Sequence, residues 1–160
     1  MAMRALTVIL LSMLAGCGFH LQGRMPLPES IRRAYVEAGD GQSDFVRALR
    51  ESLAASGVVL VDRPQPTAAT IAISRDRVTE RVLTVSARNI PTDYELTYEV
   101  EVAVRGAGRE LMAPEELNLS RTYSFDEARL LAKEREKSIL QEALARDMAG
   151  VVLRRLSTLP

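Results

Sequence analysis

Cysteine and histidine occur once each in this chain, tryptophan not at all, and lysine only twice. A lone cysteine cannot close an internal disulfide. One cysteine and one histidine fall short of the three or four ligands a zinc site needs. A charge excess is missing too: acidic and basic residues number 21 each. Without a basic surplus the chain lacks the electrostatic footprint of a duplex nucleic-acid binder, and without an acidic one it has no solvating tail. Gly106–Gly108 is too incomplete to cradle a phosphate, and no serine stands in a nucleophile-elbow context. Glu99 and Glu101 fall on one strand face, as an acid/base pair would. The pattern brings no histidine, lysine or tyrosine to them, so they read as a solvated face. No catalytic residue, metal ligand or cofactor is expected, and the chain is not expected to be an enzyme.

What is present begins at the N-terminus. Arg4 precedes a ten-residue apolar run, Ala5 to Leu14. A bilayer span takes about 20 residues, so the run fits the hydrophobic region of a secretory signal instead. Leu14-Ala15-Gly16-Cys17 follows and resembles the lipobox of bacterial lipoproteins, where cleavage leaves a lipidated cysteine as first residue. A nucleophilic reading of Cys17 fails, because such a thiol needs a base held in a folded shell. His20 reads as a structural residue of the anchor segment. The expected organisation is a signal peptide over 1–16, a lipidated tether over 17–30 and one domain over 31–160. Several acyl chains anchor stably where one does not. Gly18 rather than aspartate after the cysteine points to the periplasmic side of the outer membrane.

In the mature part, 19 of the basic residues of the whole chain being arginine is explained by genome base composition, although arginine also suits bidentate contacts to carboxylate and phosphate. Arg33–Ala38 reads as a short strand. Ser43–Ser56 reads as a helix with Ser43 as N-cap, Asp44 at the positive end, Gly57 beyond the C-cap, and Phe45, Val46, Leu49 and Leu53 on one face. Val58–Val61 is a short buried strand or strand-like exit. Thr70–Ser86 reads as a long strand with a fault: unbroken alternation would put Arg75 and Arg77 in the core, so a bulge is expected near Asp76–Thr79. Arg88–Asp93 reads as a turn. In Tyr94–Arg105 every second residue from Tyr94 to Val104 is apolar or aromatic, the clearest strand of the chain. Glu116–Phe125 alternates again, interrupted by Arg121. Glu127–Leu156 reads as a helix with a stripe of Leu140, Leu144, Met148 and Val151, widened by Ile139, Val152 and Leu156. Strand, helix, several strands and helix imply an α+β two-layer sandwich, a mixed and mostly antiparallel sheet with two helices on one face.

Four stretches, GCGFHLQG (Gly16–Gly23), YELTYEVEVAV (Tyr94–Val104), RTYSFDEARLLAKEREK (Arg121–Lys137) and LRRL (Leu153–Leu156), stand in the order shown by the LptE family of lipopolysaccharide-assembly lipoproteins. The mature chain resembles that family over nearly its whole length; Gln22 stands where the family usually has arginine. The resemblance implies a non-enzymatic outer-membrane lipoprotein lodged in the lumen of the β-barrel translocon LptD, assisting its assembly and the passage of lipopolysaccharide, which it contacts. A polar exterior suits a barrel interior. Lipid A phosphates call for Arg or Lys donors. Arg88, at a turn, and Lys133, inside the family-like LLAKEREK, are the candidate lipopolysaccharide-binding residues, with Arg75, Arg77 and Arg81 as a second cluster. The alternative is an auxiliary substrate-carrying lipoprotein of another outer-membrane transport system.

Overall fold

The computed structural model describes residues 26–124 and 130–160, with side chains in the last helix from Arg135 onward. A 3-10 turn at Glu29–Ile31 leads into β1 (Arg33–Ala38), α1 (Asp44–Ala55), β2 (Val59–Leu60), β3 (Ala69–Val85), β4 (Pro91–Gly106), β5 (Arg109–Ser124) and α2 (Leu130–Leu156). The sheet order is β2-β1-β3-β4-β5. β1 runs parallel to both neighbours, while β3, β4 and β5 form an antiparallel meander. Both helices pack on one face, so the α+β two-layer expectation holds.

Local chemistry explains the elements. Ser43 Oγ accepts the Val46 N–H at 3.1 Å, filling one of the donor positions a helix start leaves open. At the other end Gly57 takes φ +89°. There its N–H reaches Ala54 O, and the Val58 N–H reaches Leu53 O, both at 3.0 Å, a Schellman close. Between the caps Phe45, Val46, Leu49 and Leu53 are fully buried. They meet Leu96, Val100, Val102 and Val104 of β4 and Ile71 of β3 in one core, each large side chain contributing about 1.5–3 kcal/mol by burial.

α2 adds Leu144, Ala145, Met148, Ala149, Val152 and Leu156 to that core. Ile139 departs from the expected stripe and is 58% exposed. At 3.6 residues per turn it stands about 140° round the helix from Leu144. Strand limits also differ from the sequence reading. β2 is an edge strand with Val59 outward rather than a buried one. β4 begins at Pro91, because a first strand residue needs no N–H for the ladder. β5 begins at Arg109, after a two-residue turn whose Ala107 and Gly108 both have positive φ. Pro114 sits inside β5 at a register shift, tolerated because β5 is an edge.

Candidate functional site

The bulge in β3 decides what each sheet face presents. Ile73 lies opposite Val102 and Arg75 opposite Glu101, leaving Ser74 as the extra residue. The shift therefore falls at Ser74, not at Asp76–Thr79. The next residue of core parity after Ile73 is Arg75, and the bulge turns it out at once. Ser74 Oγ donates to Glu101 at 2.8 Å, so the carboxylate holds the irregular backbone in place.

On the open face the arginines meet glutamates across the strands. Arg75 lies 3.0 Å from Glu116, Arg81 lies 2.6 Å from Glu95, and Arg77 pairs with Glu99. Hydrogen bonds to Glu99 and Glu95, followed by their charge, raise the pKa of Arg77 and Arg81 above the ordinary arginine value. Arg75, Arg77 and Arg81 are thus engaged within the sheet and do not form a free cationic cluster. Glu99 and Glu101 are likewise charge partners of arginine.

On the helix face the same bulge turns Asp76 and Glu80 inward. Asp76 accepts hydrogen bonds from Ser43 Oγ at 2.5 Å and from the Tyr98 hydroxyl at 2.7 Å. Burial, and then donation to Asp76, push the Tyr98 pKa up. Its ring packs on Phe45 at 6.1 Å. Glu80 accepts from the Tyr123 hydroxyl and lies 2.5 Å from Lys137 Nζ, which ties β3 and β5 to α2. Arg121, the interruption of the β5 pattern, faces α2 and binds Asp147. The sequence carried a signal for these contacts, the parity fault, but not its position; the fault's position determines whether Asp76 or Arg77 faces the helices.

Beyond Glu80 the β3–β4 hairpin continues as an arm. Val82, Leu83 and Val85 are 47%, 44% and 49% exposed. Ser86 closes the turn by accepting the Asn89 N–H at 2.9 Å, with Asn89 at φ +60°. Arg88 lies exposed in that turn, without an ion-pair partner among the described residues. At the arm's base Tyr94 and Tyr123 stack at 5.4 Å. Asp93 accepts from Ser124 at 2.7 Å, and this bond first, then that with Thr84, lowers its pKa. The Lys133 backbone falls in α2, one turn before Lys137, while its side chain lies outside the described residues, as does Cys17. The structure therefore brings Arg88 to an aliphatic arm and gives no side-chain geometry joining it to Lys133. Among the described residues no group of three His, Cys, Asp or Glu side chains is arranged to hold a metal.

Known proteins share this architecture. A solution structure of an uncharacterized lipoprotein B from Nitrosomonas europaea matches with a TM-score of 0.71 and 27% identity, covering 88% of this chain and 90% of that one. The rare lipoprotein B from Shewanella oneidensis matches in fold with a TM-score of 0.71 at 24% identity, covering 79% and 94%. In sequence, the LPS-assembly lipoprotein LptE of Yersinia enterocolitica is 29% identical over 146 residues, 89% of this chain and 69% of that protein. The profile described as "LptE: Lipopolysaccharide-assembly" matches residues 31–156. With that match running from the turn before β1 to the end of α2, the chain belongs to the LptE family of non-enzymatic lipopolysaccharide-assembly lipoproteins.

Proposed function

We propose that this protein is the plug and assembly partner of an LptD-type β-barrel, anchored to the periplasmic side of the outer membrane by acyl chains on Cys17. Its mature form begins at Cys17, with a tether before the folded domain. Family membership over 31–156 carries the reading. The open sheet face adds support: its charges are paired within the protein and its surface is polar, as contact with a hydrophilic barrel lumen requires. Arg88 and Lys133 contact lipopolysaccharide phosphate, and the exposed aliphatic arm beside Arg88 suits an amphiphile.

Purification of the full chain from detergent extracts tests the partner. A large β-barrel is expected to co-purify; its absence removes the plug reading and favours a carrier role in another transport system. Cys17→Ala leaves an uncleaved or mislocalised precursor, checked by mass spectrometry of the mature N-terminus. An unmodified Cys17 in membrane-extracted protein contradicts lipidation. Arg88→Asp combined with Lys133→Asp lowers lipopolysaccharide binding at moderate salt, while the melting temperature and barrel capture persist. Unchanged binding by the folded double variant removes these two residues from the contact.

A further inference from the structure

Among the described residues β5 is the last strand of the sheet and pairs only with β4. From Glu115 to Ser124 its register against β4 is unbroken. Alternate N–H and C=O groups along its other edge therefore point outward with no strand of the described residues to receive them. The opposite edge strand, β2, has only two residues.

α2 runs past this edge in the opposite direction. Arg155 reaches Glu115 at 2.7 Å, and Arg121 reaches Asp147 farther along β5. Between these ion pairs lies a groove of about 330 Å³ lined by Leu119, Arg146, Asp147, Gly150, Val151 and Arg154. Gly150 leaves its floor without a side chain. The Arg154 guanidinium lies beside it, with Nη1 3.6 Å from where a Cβ on Gly150 would stand. Arg146 is paired with Glu142 at 2.8 Å and Asp147 with Arg121. Arg154 has no carboxylate partner among the described residues.

We propose that the β5 edge and this groove accept an extended peptide segment of a partner protein as a sixth strand, with an acidic side chain of that segment on Arg154. Side chains of an added strand alternate between the two faces. One set lies beside Asn118 and Ser120 on the open face; the other enters the groove. The residue opposite Leu119 sits over Gly150 and Val151, where an aliphatic side chain fits. The groove-facing residue opposite Leu117 lies toward Arg154, because α2 descends as β5 ascends. The segment thus carries an aliphatic and an acidic residue two positions apart. Main-chain pairing supplies affinity and the spacing supplies selectivity. The proposal stands apart from the barrel-plug reading and does not require it.

The test pans a display library of random nine-residue peptides against the detergent-purified full chain and its Arg154→Glu and Gly150→Leu variants. Both positions lie outside the buried core, and leucine is a better helix former than glycine, so melting temperatures should stay near that of the unmodified protein. Enriched peptides should share the aliphatic–any–acidic spacing. Arg154→Glu should exchange the acid for a base, and Gly150→Leu should cut binding at least tenfold. An enriched peptide should slow amide exchange across Glu115–Ser124. Absence of enrichment, the same motif on Arg154→Glu, or protection elsewhere than β5 would overturn the proposal. So would concentration-dependent self-association that protects β5 without peptide, since a second copy would then own the edge.

Discussion

β3 and β4 are held together differently in their two halves. From Ala69 to Ile73 and from Val102 to Val104, alternate side chains are buried under the helices, and cohesion comes from excluding water. Past Ser74 the same strands are joined by directional contacts: arginine–glutamate pairs on one face, Asp76 and Glu80 with their hydroxyl and ammonium donors on the other. β4 alone keeps its apolar row through both halves, down to Leu96. A strand can therefore outrun its apolar cover when its inward polar groups are satisfied, and among the described residues no buried side-chain nitrogen or oxygen lacks a partner. The first half should answer to volume and burial, the second to pH, salt and the loss of single donors.

The sharpest way to break this contrast is Val102→Asp. Val102 is wholly buried opposite Ile73. An unpaired carboxylate there should cost several kcal/mol, a large part of the stability of a marginal domain. Chemical denaturation should show an unfolded or nearly unfolded protein, and a small change in midpoint would mean that the first half is not held by burial. In the arm, Glu80→Ala removes the acceptor shared by Tyr123 and Lys137. About 1–3 kcal/mol should be lost, and native-state hydrogen exchange should show faster opening of Val78–Val85 while Ala69–Ile73 stays protected. Uniform acceleration along β3 would erase the distinction between the halves.

A pH series sharpens it further. Tyr98 has its pKa raised in the folded state by burial and by Asp76, whereas in the unfolded chain it ionises near the ordinary value of 10.0. Above that value the unfolded state binds fewer protons than the folded one, so stability falls as pH rises. The Tyr98 contribution is complete below pH 10 and is lost on the alkaline side. Tyr98→Phe should flatten the alkaline limb of a stability–pH curve; an unchanged limb would mean that the hydroxyl is not held as described. The smallest effect is expected from Glu99→Lys on the open face. It sets a lysine opposite Arg77 across the strands, a like-charge pair that solvent and salt screen. Its melting temperature should drop slightly at low salt and recover at high salt, and a large, salt-independent loss would show that the open face is a structural core.

Much of this architecture is legible in the chain because it rests on local periodicity. The row from Tyr94 to Val104 fixes the face of β4 by itself, and Ser43, Asp44 and Gly57 fix both ends of α1. The bulge is legible only as a necessity: alternation requires that Arg75 leave the core, but any of several residues could have served as the insertion. Its location depends on Glu101, a partner whose position is known only once the strands are in register. The first part of β5 escapes notice because the alternation is clear only from Glu116 onward; Pro114, inside the strand, is tolerated by its place at the sheet edge. Ile139 misleads because it adjoins Leu140 in sequence while lying off the stripe that faces the sheet. Arg88 is placed in a turn by its neighbours Asn89 and Pro91, and the turn is there. Which arginines are free is a different matter, since Arg75, Arg77 and Arg81 are indistinguishable from Arg88 until cross-strand partners are assigned.

The parallel placement of β1 between β2 and β3 sets an order of events. The β3–β4–β5 meander is joined by tight turns at Ser86–Asn89 and Ala107–Gly108, so its pairing can start from contacts beside the turns, which are short in sequence and quick to form. β1 has no such neighbour: its partner Ala69–Ile73 arrives only after α1 and β2 have been made, a crossover that parallel pairing always imposes. A chain that emerges N-terminus first therefore exposes Ile31, Ala34 and Val36 before the rest of their core exists. The interval ends when β3 emerges and β1 gains its second parallel partner.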